Sequence, residues 1–213
     1  MDQRTQVRIV QPADRLACCR ALLEMHLHRK HVFVDAMGWR IGPRESWLEV
    51  DQFDDDYAVY VIAVDEDERH LGSVRLLPTT RRHMLSTVFA DLCPEGAPAG
   101  SDVWEVSRFL ATPEGSCGAN ILRVHRLLAL ALVDFAQANG ITRYTLVAES
   151  RRMPALLSVG WTVLPLCLPT EREGELIEAA EIVLDELSVS RVRARTARCG
   201  DTGSPLTALR SAA

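Results

Sequence analysis

The amino-acid sequence lacks the long apolar runs that mark membrane proteins. Its longest run, over residues 127–136, is interrupted by Asp134 and falls well short of the ~20 residues that span a bilayer. The N-terminal residues 1–16 carry charges where a secretion signal needs an apolar segment. We therefore expect no membrane segment, no membrane partner and a cytoplasmic location.

Paired cysteines and excess basic charge are also missing. The six cysteines show no C-x-x-C spacing, so we expect reduced thiols and neither a disulfide framework nor a cysteine metal site. His26 and His28 are two residues apart, which puts them on different faces of a helix and argues against a histidine metal site. With 24 basic and 29 acidic residues the formal charge is −5, so we expect no nucleic-acid partner.

What the sequence does contain is an alternation of strand-like and helix-like segments, with enough hydrophobic residues for one large core. Predicted strands cover residues 6–10, 57–65, 70–79, 102–112, 141–149, 161–169 and 179–187. Predicted helices cover residues 12–33, 81–94 in one or two short pieces, 121–140 and 150–160. The segment 34–56 lacks periodicity and is predicted to be a functional loop. We expect a single domain over residues 1–187 and a poorly ordered basic tail over residues 188–213.

Charged residues stand inside two of these predicted strands. Arg75 lies in "SVRLLPT", and Glu105 and Arg108 lie in "VWEVSRF". A buried charge is costly unless it is paired, so one interpretation is a structural ion pair between Arg75 and Glu105. The other is a functional site. Strand alternation places Glu105 and Arg108 on opposite faces unless a bulge re-aims one of them.

The strands belong to an ordered series of motifs. The chain reads "LHRKHVFVDAMGWRI", "EVDQFDDDYAVYVIAVD", "GSVRLLPTT", "MLSTVFADL" and "VWEVSRF", in that order. In this series it resembles the acyl-homoserine-lactone synthases, the autoinducer synthases of bacterial quorum sensing, over roughly residues 20–165. The matching positions are Arg29, Phe33, Trp39, Asp51, Asp54, Arg75, Glu105 and Arg108, with Phe89 as a ninth. By spacing alone, Asp51 and Asp54 are typical of a solvated loop.

The resemblance implies both a fold and a reaction. The fold is α/β (α+β) and GNAT-like, with a mixed, twisted and splayed central sheet and helices on both faces. The reaction turns S-adenosylmethionine and an acyl thioester into an N-acyl-L-homoserine lactone and methylthioadenosine. Both molecules are substrates, and neither a cofactor nor a metal is expected. The alternative is a GNAT-type N-acetyltransferase that uses acetyl-CoA and another amine.

The resemblance also implies catalytic roles. The amine of S-adenosylmethionine resembles an α-amino group with a pKa of about 7.7–8.0, so it must lose a proton before it attacks. We expect Glu105 to be the general base, with Arg75 and Arg108 in the same catalytic group. A bulge between Val106 and Phe109 is expected to free backbone N–H donors for the oxyanion.

A third implication concerns the S-adenosylmethionine site. The residues expected to bind this substrate are Arg29, Phe33, Trp39, Asp51, Asp54, Phe89, Val106 and Ser107. The charged members are expected to join Arg75 and Arg108 in a network that orders the long loop. Phe33 and Trp39 are expected to supply aromatic walls beside the sulfonium.

The acyl side of the reaction is less defined by the sequence. Phe109 and Ala148 are expected to contact the acyl chain, and Ala148 offers no hydroxyl for a 3-oxo group, which favours an acyl group unsubstituted at carbon 3. The donor is either acyl-CoA or an acyl-carrier protein. The loop "PEGSCGAN" before a helix favours coenzyme A, whereas an acidic carrier protein needs basic residues. The candidates for that contact are Arg123, Arg126, Arg151 and Arg152.

Overall fold

The computed structural model of the protein describes residues 5–40, 45–111 and 118–197. The strands are β1 Gln6–Val10, β2 Val59–Val64, β3 His70–Pro78, β4 Val103–Ala111, β5 Arg143–Glu149, β6 Thr162–Pro165, β7 Thr170–Arg172 and β8 Glu175–Val183. The helices are α1 Cys19–Arg29, α2 Met84–Thr87, α3 Gly118–Asn139, α4 Met153–Val159 and α5 Glu186–Ala197. Within these described ranges, no helix is long and apolar enough to cross a membrane.

The eight strands belong to one mixed sheet. Their order is β1-β2-β3-β4-β5-β8-β6, with β7 paired to β8. The pair β4–β5 is parallel, whereas β1–β2, β5–β8, β6–β8 and β7–β8 are antiparallel. A mixed sheet flanked by helices confirms the α/β fold class. The hairpin of β7 with β8 was not predicted, and it turns at Glu173 and Gly174, which both have positive φ.

One compact unit contains residues 5–75 and 108–128. Every residue of β2 is buried in it, as its unbroken apolar sequence predicts. Gly72 of β3 has no room for a side chain, since a Cβ atom there would lie 2.6 Å from Val124 Cγ1 and 2.8 Å from the carbonyl oxygen of Leu110. The packing of this unit therefore depends on a glycine at this position.

The first helix ends earlier than the sequence pattern indicates. The predicted helix ran to residue 33, but α1 ends at Arg29 and the chain continues through a π-helical segment, Lys30–Ala36. The N–H of Trp39 then donates to the carbonyl oxygen of Phe33 over 2.9 Å. Such wide turns are frequent at functional sites, and this one brings two predicted site residues together.

The second compact unit contains residues 76–107 and 129–197. In it, β4 and β5 pair through three rungs, and the last of them joins Glu105 to Thr145. β5 nevertheless continues to Glu149. The parallel pair therefore opens after Glu105, which agrees with the predicted splay of the sheet.

The C-terminal prediction is wrong for residues 188–197. These residues belong to α5, in which Ser188, Val192 and Thr196 are buried. The Oγ of Ser188 accepts the N–H of Thr162 at 3.1 Å, and Arg193 donates to Asp134 Oδ1 at 2.7 Å. Residues 198–213 of the predicted tail and most of the "PEGSCGAN" loop lie outside the described residues. A single domain over residues 1–187 stays a prediction.

Candidate active site

Three arginines of the first unit converge on three carboxylates. The arginines come from three different elements, namely α1, β3 and β4, and the carboxylates come from the segment that precedes β2. The six residues are Arg29, Arg75, Arg108, Glu49, Asp51 and Asp54. Five of them were predicted as a network, and the structure brings those five together. We call the six residues the charged network.

Arg29 is fully buried and forms a bidentate pair with Asp54. Its Nη1 and Nη2 donate to Asp54 Oδ1 and Oδ2 over 2.8 and 2.9 Å, and its Nε donates to Glu49 Oε2 over 2.5 Å. Asp54 also accepts the hydroxyl of Tyr60 at 2.9 Å and the N–H of Asp51 at 2.8 Å. Because the planar guanidinium matches the carboxylate geometry, this pair fixes the loop against α1.

Arg75 forms a second bidentate pair, with Asp51. The two N···O distances are 2.6 and 3.0 Å, and Nη1 also lies 2.9 Å from Asp54 Oδ1. The guanidinium carbon is 5.8 Å from the ring centroid of Phe53. Because two carboxylates already balance Arg75, its burial does not require the alternative ion pair with Glu105.

Arg108 completes the charged network from a distorted strand. Its Nη2 donates to Asp51 Oδ2 at 2.6 Å and to Glu49 Oε1 at 3.0 Å. Its backbone φ is 54°, a left-handed conformation that is strained for a residue with a side chain. The distortion lies in the segment of β4 where a bulge was predicted.

Charge compensation dominates the electrostatics of this network. Burial alone would raise the pKa of Asp54, but its bonds to Arg29 and the charge of Arg75 hold that pKa far below its usual range. Burial opposes the ionised form of Asp51 as well, and Arg75 and Arg108 outweigh it, so the pKa of Asp51 is also lowered. Burial and repulsion from Arg75 lower the pKa of Arg108. Asp51 and Asp54 are therefore held in their ionised forms by the arginines.

An aromatic pair adjoins the charged network. The rings of Phe33 and Trp39 stack with centroids 4.8 Å apart and an interplanar angle of 19°. The guanidinium carbon of Arg108 lies 5.6 Å from the Phe33 centroid and 5.7 Å from the Trp39 centroid. Both rings thus already face a cation, which is favourable for their π-systems. Their role beside a sulfonium stays a prediction.

The three network carboxylates are also close enough together to suggest a metal site. Oxygens of Glu49, Asp51 and Asp54 lie within 4.8 Å of one another. Each of them, however, bonds to arginines, which already balance its charge. The three carboxylates are therefore better suited to holding the arginine guanidinium groups than to holding a metal ion.

Glu105 lies in the second unit and is almost fully buried. Its Oε1 accepts the N–H of Met84 at 2.9 Å, and its Oε2 accepts the N–H of Leu85 at 2.7 Å. These N–H groups belong to the first turn of α2, where no partner exists within the helix. Two fixed donors hold the carboxylate in one orientation, which a general base needs in order to act on a bound amine.

Three further predicted residues of the second unit are Phe89, Val106 and Ser107. The ring of Phe89 lies under the guanidinium of Arg172, with its centroid 5.0 Å from the guanidinium carbon. It also packs against a buried apolar cluster that contains Leu85, Leu92 and Ala179. Val106 is buried and Ser107 is half-buried. Contact of these residues with S-adenosylmethionine stays a prediction.

The two predicted acyl-chain residues lie on β4 and β5. Phe109 packs edge-to-face on His125 of α3, with ring centroids 5.3 Å apart. Ala148 follows the alternation of β5 and shares a side with Tyr144, whose hydroxyl donates to the carbonyl oxygen of Leu132 at 2.9 Å. Their contact with an acyl chain stays a prediction.

Sequence reasoning missed Glu49 and Tyr60 as members of the site. Glu49 is fully buried and contacts two of the arginines, and Tyr60 donates to Asp54. A count of charge could have found Glu49, because three buried arginines facing two aspartates leave one positive charge without a partner. No comparable signal in the sequence points to the hydroxyl of Tyr60.

Comparisons with known proteins agree on one family. The autoinducer synthase family model matches residues 15–194. An isovaleryl-homoserine lactone synthase of Bradyrhizobium diazoefficiens is 33% identical over 163 residues, which is 76% of this chain and 72% of that protein. A putative N-acetyltransferase from Lactobacillus plantarum, with 18% identity and a TM-score of 0.56, shares the fold alone and covers 85% of this chain and 99% of that one.

Two other solved structures are more similar to this chain than that acetyltransferase is. The CoA-dependent acyl-homoserine lactone synthase BjaI, with SAM and isopentyl-CoA, has a TM-score of 0.85 and 26% identity and covers 96% of this chain and 93% of that one. The CoA-dependent synthase MesI has a TM-score of 0.83 and 27% identity, over 95% and 100% of the two chains. Since the family model spans most of its length, this chain belongs to the autoinducer synthase family.

Proposed function

We propose that the protein makes an N-acyl-L-homoserine lactone from S-adenosylmethionine and an acyl thioester, and releases methylthioadenosine. The observation that carries this proposal is the match of the family model over residues 15–194, a range that contains the whole charged network and Glu105. Homoserine lactone synthesis is thereby favoured over acetyl transfer to another amine. We also propose that the product serves in quorum sensing and that the protein acts in the cytoplasm.

The acyl-transfer step assigns a task to Glu105. The carboxylate takes a proton from the ammonium of S-adenosylmethionine, directly or through a water, and the free amine attacks the thioester carbonyl. A C–N bond forms and the C–S bond breaks, and the thiolate that leaves takes up a proton. Since both oxygens of Glu105 are held by N–H donors, the base is preorganised before the substrate arrives.

Lactonisation needs positioning more than acid–base chemistry. The substrate carboxylate attacks its own γ-carbon, a C–O bond forms, and the C–S bond of the sulfonium breaks to release neutral methylthioadenosine. We propose that the charged network sets this geometry by holding the segment 49–54 and the stacked rings of Phe33 and Trp39 in fixed places. In this role Arg29, Asp51 and Asp54 act as positioning residues for the substrate site.

We propose a coenzyme A thioester as the acyl donor, with a hydrocarbon acyl group. Both similar solved structures described above are of CoA-dependent synthases, and the curated relative is an isovaleryl-homoserine lactone synthase. An acyl-carrier protein is the competing donor. Of the basic residues predicted to meet it, Arg151 and Arg152 are exposed, but both bond to Glu149, which reduces their attraction for an acidic partner.

Mass spectrometry of the products tests this proposal. The purified protein is incubated with S-adenosylmethionine and a panel of acyl-CoA and acyl-carrier-protein donors of matched chains. We expect a lactone and methylthioadenosine together, formed faster from branched or aryl acyl-CoA than from the matched carrier-protein thioester. Consumption of acyl-CoA with other amines and without S-adenosylmethionine would instead identify an acetyltransferase-like enzyme.

A further inference from the structure

The helix that orients Glu105 has only four residues, Met84–Thr87. The two N–H groups that the Glu105 carboxylate accepts belong to Met84 and Leu85, in the first turn of this helix, α2. A single helical turn is not stable by itself, because closing it fixes several backbone dihedral angles for few hydrogen bonds. The orientation of the carboxylate therefore depends on contacts that hold α2 from outside.

The other end of α2 is held by an arginine of the β7–β8 hairpin. Arg172 Nη1 donates to the carbonyl oxygen of Val88, the residue that follows α2, over 3.0 Å. Its guanidinium carbon lies 5.0 Å from the ring centroid of Phe89, and Nη1 lies 3.5 Å from Asp91 Oδ1. A cation is favourable at the C-terminal end of a helix, because the last carbonyl oxygens have no partner within the helix. Arg172 therefore holds the segment 88–91 through a carbonyl oxygen, a ring and a carboxylate.

The hairpin places Arg172 with little freedom. Arg172 pairs with Glu175 across β7 and β8, and only Glu173 and Gly174 lie between them. These two residues have φ values of 52° and 85°, the pattern of a tight type I′ turn. Because a two-residue turn fixes the register of its strands, the backbone position of Arg172 is set by β8.

The hairpin and α2 also share an apolar cluster. Leu85 of α2, Leu92 and Ala179 of β8 are its buried residues, and Phe89 packs against them. This cluster joins α2 to β8 on the buried side. Arg172, whose side chain is 41% exposed, joins the same segment to the same hairpin on the solvent side. The end of α2 is thus held between an apolar contact and a polar one.

We propose that Arg172 is a positioning residue for acyl transfer, which holds α2 in place and thereby orients the Glu105 carboxylate toward the amine of S-adenosylmethionine. This inference rests on the proposed function. Arg172 acts through the N–H groups of Met84 and Leu85, since a shift of α2 moves both donors and turns the carboxylate that accepts them. Removal of the ammonium proton requires the base within hydrogen-bond reach, so the rate of this step depends on the position of α2.

Replacement of Arg172 by alanine tests the role of this contact. We expect kcat with acyl-CoA to fall about 10-fold, because a misplacement of about 1 Å can cost about 100-fold and the buried side chain of Leu85 limits the shift. KM for acyl-CoA should stay within about twofold of the parent value. Arg172→Lys keeps a cation and an N–H donor, so its kcat should lie within about threefold of the parent value.

The matched control is Arg195→Ala. Arg195 of α5 also donates to carbonyl oxygens at the end of a short helix of the second unit, those of Leu157 and Ser158 in α4. The substitution removes the same side chain and the same kind of contact, but α4 is not the helix whose first turn binds Glu105. We expect kcat of Arg195→Ala to stay within about twofold of the parent value.

A double-mutant cycle with Glu105→Gln separates positioning of the base from a general structural role. If Arg172 acts through Glu105, Arg172→Ala should lower kcat about 10-fold in the parent protein but less than about twofold in Glu105→Gln, which has already lost the base. An equal loss in both backgrounds, or parental kcat in Arg172→Ala, would overturn the inference about Arg172 alone. A parent protein that makes no lactone from any donor would overturn the proposed function itself.

Discussion

At the scale of single residues, two kinds of buried charge have different tasks. The arginines and carboxylates of the charged network neutralise one another, with N···O distances of 2.5 to 3.0 Å in the bonds of Arg29 and Arg75. Glu105 accepts the backbone N–H groups of Met84 and Leu85. The orientation of this carboxylate is therefore set by the backbone at the start of α2.

Replacement of Glu105 by glutamine tests its role as the base. Gln is similar in shape, and its side-chain oxygen can still accept one of the two N–H groups, so we expect the fold to persist. The rate of acyl transfer should fall by a factor of roughly 100–10,000, because a neutral amide cannot take the proton. Product formation at saturating substrates measures this. Full activity in Glu105→Gln, with an unchanged melting temperature, would remove Glu105 from the base role.

Replacement of Arg29 by alanine tests the charged network. Its loss leaves Glu49 and Asp54 short of a buried partner, so we expect a loss of roughly 3–5 kcal/mol in the free energy of unfolding. Arg20→Ala on the same helix is the control, since Arg20 is largely exposed and pairs with Glu24 at the surface, and it should cost less than about 1 kcal/mol. Equal unfolding midpoints in urea for the two variants would contradict this view of the network.

At the scale of elements, a histidine pair joins α1 to β3. His28 Nδ1 lies 2.8 Å from His70 Nδ1, and burial, together with the neighbouring His28 and His26, lowers the pKa of His70 to about 3. His70 stays neutral in the folded protein while its unfolded form takes up a proton below about pH 6.5. The contribution of neutral His70 to the free energy of unfolding is therefore fully present above pH 6.5. It is lost progressively as the pH falls from 6.5 toward 3.

This linkage predicts the behaviour of His70→Phe. The variant lacks the titrating ring, so its free energy of unfolding should fall less steeply than that of the parent between pH 6.5 and 4. Denaturant unfolding at several pH values measures the two slopes. Identical slopes would show that the protonation of His70 is not linked to folding.

The helix α5 provides a second test at this scale. Val192 is fully buried in α5, whereas Leu187 in the same helix is 62% exposed. Val192→Ala should lower the free energy of unfolding by about 1–3 kcal/mol, because it removes packed methyl groups and leaves a cavity. Leu187→Ala should change it by less than about 0.5 kcal/mol. If the two variants have the same stability, α5 is not packed as described.

Some of these elements could be predicted from the sequence and others could not. The buried line of α5 consists of Ser188, Val192 and Thr196, and two of these three are polar, so hydrophobic periodicity could not reveal the helix. The π-helical segment after Arg29 was equally hidden, since its pattern continues that of α1. The strands β2 and β4 were visible because apolar residues dominate them.

At the scale of the whole molecule, ordered motifs were far more informative than local spacing. They placed Arg29, Asp51 and Arg75 in one charged network, although spacing alone favoured a solvated loop for the aspartate. They did not reveal Glu49, which requires a count of buried charge. Contacts set by register and by long-range pairing are properties of the folded chain that a one-dimensional pattern does not contain.

The most direct test of the central claim counts three products in one reaction. The protein is mixed with S-adenosylmethionine and its preferred acyl-CoA, and free coenzyme A thiol, methylthioadenosine and N-acyl-homoserine lactone are measured over time. The reaction described above predicts equal amounts of all three in the parent protein and almost none in Glu105→Gln. Release of coenzyme A thiol without methylthioadenosine or lactone would contradict the proposed function.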